Sequence, residues 1–83
     1  MTEDEILEAF AEVLRDVLDD DAVVVSPETT AEDVPGWDSQ AHVMLIVAVE
    51  QRFGLRFRAS EFESLRDVGE FVSLIGAKLR AGR

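Results

Sequence analysis

The 83-residue chain has no cysteine, one histidine and eight basic residues, and each shortage removes a class of function. Without cysteine there is no disulfide framework and no thiolate metal site. A lone histidine makes no metal site without further ligands at suitable spacing. Eight bases against 18 acids give a net charge of −10, the wrong sign for the phosphates of nucleic acid. No apolar run approaches the roughly 18 residues a membrane span requires. The N-terminus, MTEDEILEAF, is acidic where a signal peptide is basic, so the expected location is the cytoplasm.

What remains is the composition of one small globular domain over residues 1–83, expected to be a monomer, with 47% hydrophobic and 31% charged residues. A chain of this size buries roughly 60–65% of its unfolded surface, enough for a modest core but little for an enclosed substrate cavity. Its charge is lopsided: residues 1–42 hold 13 acids and one base, residues 43–83 five acids and seven bases. An acidic half suits a partner with a basic surface, because complementary potentials speed encounter.

The periodicity predicts an all-α fold, a small four-helix bundle of three main helices and one short one. Thr2 and Glu5 form a capping-box pattern, and Ile6, Phe10, Val13, Leu14 and Val17 follow at helical spacing to about Asp19-Asp20-Asp21. Residues 20–37 form a long connection of the kind that is usually functional. Val23-Val24-Val25 reads as part of this loop, pinned to the core by its valines, rather than as a strand paired with residues 55–57. A calcium loop from Asp21 fails, because Val23, Val25 and Ser26 stand where two oxygen ligands and a glycine are needed. Asp38 is a good N-cap for a helix that runs to about Phe53 and stops at Gly54. Residues 59–63 permit one short turn. Ser64 and Asp67 suggest another capping box, opening a last helix with Leu65, Val68, Val72, Ile75 and Leu79 on its apolar stripe. Gly69 and Gly76 weaken that helix by up to about 1 kcal/mol each.

The stretch GWDSQAH at 36–42 gathers a serine, a histidine and an aspartate. Self-contained hydrolysis fails on geometry. Asp38 precedes the serine on the same turn, where it is better placed to cap the helix than to orient His42. The G-x-S-x-G elbow is absent, since Gly36 lies three residues before Ser39 and Ala41 two after. There is no oxyanion loop, and no catalytic residue is assigned. At 100° per residue, His42, Leu45, Ile46, Val49 and Phe53 fall on one arc, which should face the core with His42 at its edge. The opposite arc holds Gln40, Val43, Met44, Val47, Glu50 and Gln51. Three of these six are apolar where an amphipathic helix should be polar, which marks the arc as a docking stripe. Ser39, on the first turn of that helix, has a hydroxyl where free amides and the positive dipole end favour a phosphate.

Those residues carry a resemblance. GWDSQAHVMLIVAVEQRFGLRF resembles the signature of acyl carrier proteins, in which Asp-Ser-Leu opens the second helix and a Glu-x-x-Phe-Gly type ending closes it. SPETTAEDVPGWDS is similar to the loop before it, and the likeness extends through SLRDVGEFV in the last helix. It implies that Ser39 receives a 4′-phosphopantetheine arm from coenzyme A, making a phosphoprotein with Asp38 as motif partner. The arm's thiol then holds an acyl group as a thioester. It implies as partners a phosphopantetheinyl transferase, an acyl-loading ligase or acyltransferase, and a ketosynthase or other client enzymes, docking on Gln40, Val43, Met44, Val47 and Glu50. The chain departs from the pattern at Gln40, where leucine is usual. Its second helix and exit, with Met44, Arg52, Arg56 and Arg58, are less acidic than in fatty acid biosynthesis carriers. GWDS and HV…LIVAVEQRFG look more like discrete carriers of polyketide, antibiotic and related secondary-metabolite biosynthesis. An aminoacyl or peptidyl carrier of nonribosomal or D-alanyl type, and an unmodified interaction module, are the alternatives.

Overall fold

A computed structural model describes residues 1–81. The element order is α1 (Glu3–Leu18), a 3₁₀ turn (Ala31–Asp33), α2 (Ser39–Phe53), α3 (Ala59–Glu63) and α4 (Val68–Arg80), with no strand among the described residues. α1 packs against both α2 and α4. No helix among the described residues is long and apolar enough to cross a membrane.

The helix starts follow the caps. Thr2 Oγ1 accepts from the Glu5 amide at 3.2 Å while Glu5 Oε1 accepts from the Thr2 amide at 2.8 Å, closing the expected box. Three acids in the first turn of α1 complement the positive dipole end. Asp38 Oδ1 accepts from the Ala41 amide at 2.8 Å and starts α2. That helix stops at Gly54, whose φ of 68° suits a residue without a Cβ.

The last helix begins later than its pattern suggests. Ser64 closes α3, its Oγ donating to the Glu61 carbonyl at 3.0 Å, and Asp67 is itself the N-cap of α4, accepting from the Glu70 amide at 2.9 Å. Leu65 therefore precedes the helix, half-buried, and Phe71 takes the central core position with Val68, Val72 and Ile75. The reason lies in the long loop. The Thr29 carbonyl accepts from the Val68 amide at 2.9 Å and the Pro27 carbonyl from the Gly69 amide at 2.8 Å. Two amides that a helix start leaves unpartnered are thus satisfied by the loop. A Cβ on Gly69 would lie 3.0 Å from the Pro27 oxygen, so glycine here permits a close approach.

The core is centred on Phe10, whose ring lies 4.9 Å from that of Phe71 and 6.4 Å from that of Trp37. Ile6, Leu14, Leu45, Val49 and Ile75 fill the space around them, all fully buried. The loop joins this core through Val23, Val34 and Trp37, and Arg15 Nε donates to the Val23 carbonyl at 2.8 Å. Val24 points outward, so the valine run is a pinned loop and not a strand.

Candidate functional site

Three devices place Ser39. Asp38 fixes the start of α2, the Trp37 indole is buried immediately before it, and Val34 anchors the preceding turn. Ser39 is the first helical residue and is exposed. Asp38 Oδ1 takes the Ala41 amide and the Asp38 carbonyl takes the His42 amide at 2.9 Å. The amides of Ser39 and Gln40 belong to the unpaired set at a helix N-terminus. They suit an anion attached to the serine oxygen.

Beside Ser39 lies an open hollow of about 640 Å³, lined by Ala31, Trp37, Asp38, His42, Val43 and Glu63. His42 is half-buried at the edge of the core, as its arc requires, and its ring accepts a hydrogen bond from the Trp37 indole. Behind it is a space of only about 30 Å³ between Trp37, Leu65 and Phe71, room for about one water. The hollow beside Ser39 is thus an open surface.

The two arcs of α2 separate as the sequence predicts. Leu45, Ile46 and Val49 are at most 5% exposed, while Val43, Met44 and Val47 are 58%, 51% and 48% exposed. Gln40 and Gln51 are exposed as well. Glu50 is half-buried, and its Oε2 accepts from the Phe57 amide at 2.8 Å, holding the chain after α2 against the helix. Sequence reasoning missed two residues at this site. Trp37 forms a wall of the hollow, and because it precedes the helix cap no helical spacing pairs it with His42. Glu63 reaches the hollow from α3, a tertiary juxtaposition with no local signal.

A family model described as "Phosphopantetheine attachment site" matches residues 4–75. The acyl carrier protein of Acidothermus cellulolyticus is 33% identical over 75 residues, covering 90% of this chain and 89% of that one. The chain belongs to the acyl carrier protein family. Acyl carrier protein MbtL of Mycobacterium tuberculosis is 37% identical over 68 residues, 82% of this chain and 81% of its own. The solution structure of a holo acyl carrier protein from Geobacter metallireducens superposes with a TM-score of 0.87 at 36% identity, covering 93% of this chain and 88% of that one. As an acyl carrier protein the molecule bears a covalent 4′-phosphopantetheine, works with transferases and client enzymes, and has no catalysis of its own. The surface described above fits such a group, since an exposed serine, the first two amides of α2, which have no acceptor among the described residues, and an open hollow lie together at residues 39–43.

Proposed function

We propose that Ser39 is the residue that bears the arm, as a phosphodiester on its Oγ, and that this carrier serves polyketide or related secondary-metabolite biosynthesis. The observation that carries the assignment is the exposed Ser39 hydroxyl at the first residue of α2, capped by Asp38. When bound, the arm supplies a thiol that holds acyl intermediates as thioesters. The protein's own residues do the rest. Asp38 keeps the serine at the helix start, the Ser39 and Gln40 amides face the attached anion, and Trp37, His42 and Val43 line the surface along which the arm leaves. Covalent tethering raises the effective concentration of each intermediate at a client's active site. Gln40, Val43, Met44 and Val47, with Glu50 at the far end, form the docking face for a phosphopantetheinyl transferase, a loading ligase or acyltransferase, and a ketosynthase. The GWDS motif and the less acidic exit of α2 support the secondary-metabolite reading, and the cytoplasm is the compartment these partners imply.

Intact mass spectrometry tests the assignment. Incubation with coenzyme A and a broad-specificity transferase should add one phosphopantetheine, mapped by peptide to Ser39. Ser39→Ala should remain folded at its unmodified mass, and an adduct that persists in that variant would move the site elsewhere. The mass of the protein from its own cells then identifies the group on the arm, and an aminoacyl group there would replace the polyketide reading.

A further inference from the structure

We propose that the client surface which reads this carrier is bipolar. It is basic opposite the Ser39 end of α2 and acidic opposite the exit of α2, where a carboxylate side chain enters a hollow beside Arg56. The inference rests on the reading of α2 as the docking face and adds the partner's chemistry to it.

The exposed stripe is bracketed by two depressions that each share a residue with it. Val43 lines the hollow beside Ser39, whose rim carries the carboxylates of Asp38 and Glu63. Val47 lines a second hollow of about 500 Å³ at the helix exit, with Glu50, Gln51, Gly54, Leu55 and Arg56. The charge at this second end has the opposite sign. Arg52, Arg56 and Arg58 are all exposed there. Arg52 is already engaged by Glu12 at 3.0 Å. The lining's own acid, Glu50, keeps its charge while its Oε2 accepts from the Phe57 amide, so Arg56 and Arg58 together still leave this end net positive. Among the described residues Arg56 forms no ion pair, so its guanidinium is the cation that the hollow presents.

Distance makes the two ends separate features. The second hollow lies against Val47, Glu50 and Gln51, eight to twelve residues along α2 from Ser39, or about 12–18 Å at 1.5 Å each. The screening length at physiological salt is about 8 Å. A partner that is uniformly basic would therefore gain at Ser39 and meet repulsion at Arg56, with no long-range average to soften it. A carboxylate there gains a planar, two-pronged donor next to the apolar contacts of Val47 and Leu55. The bipolar pattern also fixes the direction in which α2 lies on the client, and so which way the arm points.

The test uses the Ser39-loaded carrier and a purified ketosynthase or acyltransferase chosen because it turns over the wild type. Arg56→Glu should raise KM for the carrier by about tenfold with kcat unchanged. The gap should close in about 0.5 M sodium chloride, where screening shortens to about 4 Å. Arg56→Lys should recover part of the loss, and Arg80→Glu, the same charge change on α4, should leave KM alone. An Arg56→Glu carrier with an equal or lower KM overturns the proposal while the carrier reading stands, because the wild type is still loaded and consumed. A concentration-dependent dimer abolished by Arg56→Glu would assign the hollow to a second copy and overturn it as well. A wild type that takes no arm on Ser39 removes the carrier reading itself.

Discussion

Trp37 Nε1 donates to Nδ1 of His42 across 3.2 Å, with the two rings 6.1 Å apart and within 21° of parallel. The last residue of the long loop before the cap is thereby locked to the first turn of α2, on either side of Ser39.

The first expectation follows from that bond. His42→Leu strands a buried indole N–H and should cost about 1–3 kcal/mol. His42→Gln, which keeps an acceptor, should cost less. Because Trp37 is the only tryptophan, indole fluorescence during urea unfolding reports the pair directly. Equal losses for the two variants would show that packing against Phe71, and not the hydrogen bond, carries the effect.

The proposed docking stripe gives a second. Val47→Asp and Met44→Asp place a charge on an exposed face and should change stability by no more than about 0.5 kcal/mol. Both should nevertheless weaken loading or client turnover, since docking would bury an unpaired carboxylate. Leu45→Asp, one residue from Met44 but wholly buried, should unfold the domain. Gln40→Leu should improve modification by a general transferase. Thermal melts that show Val47→Asp and Met44→Asp as damaging as Leu45→Asp would make the stripe core instead.

The two glycines of α4 should behave oppositely. Gly69→Ala gains about 1 kcal/mol of helix propensity. Against this, its Cβ would press on the Pro27 carbonyl, and overpacking costs about 1–3 kcal/mol, so a net loss is expected. Gly76→Ala meets only the end of the Arg80 side chain at 3.3 Å and Ile6 Cδ1 at 3.5 Å. It should therefore be neutral or stabilising by up to about 1 kcal/mol. Denaturant midpoints for the pair decide the matter, and a stabilised Gly69→Ala would show that the loop yields.

Acid should loosen α3. Glu61 accepts from the Arg58 amide at 2.7 Å and pairs with Lys78 at 3.0 Å, and these two contacts, in that order, hold its carboxyl below the ordinary value of 4.5. A depressed folded value means the stabilisation is present above the unfolded value and is lost as pH falls through the folded one. Wild type should exceed Glu61→Gln in melting temperature near neutral pH, with the gap narrowing below about pH 4.5. A gap that stays constant into acid would remove the ionised carboxylate as its source.

Local signals accounted for most of what was legible. Thr2, Asp38 and Gly54 mark helix ends because capping is a short-range hydrogen-bond requirement, and the two arcs of α2 follow from 3.6-residue periodicity. The start of α4 was misplaced because its first amides are satisfied by Pro27 and Thr29, some forty residues away in sequence. Glu50 illustrates the same limit. Its place on the outer arc is periodic information, but its hold on the Phe57 amide depends on how the chain turns after Gly54. The position of Ser39, exposed at the head of α2, was readable because the Asp38 cap that sets it is a neighbour in sequence as well as in space.

The paired hydrogen bonds from Val68 and Gly69 to the loop have a mechanical consequence. They fasten the middle of the connection between α1 and α2, whose flanks are already held by Val23 on one side and by Val34 and Trp37 on the other. The loop that leads into Ser39 is then tied to α4 as well as to α2. On the proposal that Ser39 bears the arm, differences in depth between one client's active-site tunnel and another's would fall to the arm and to how each enzyme seats the protein.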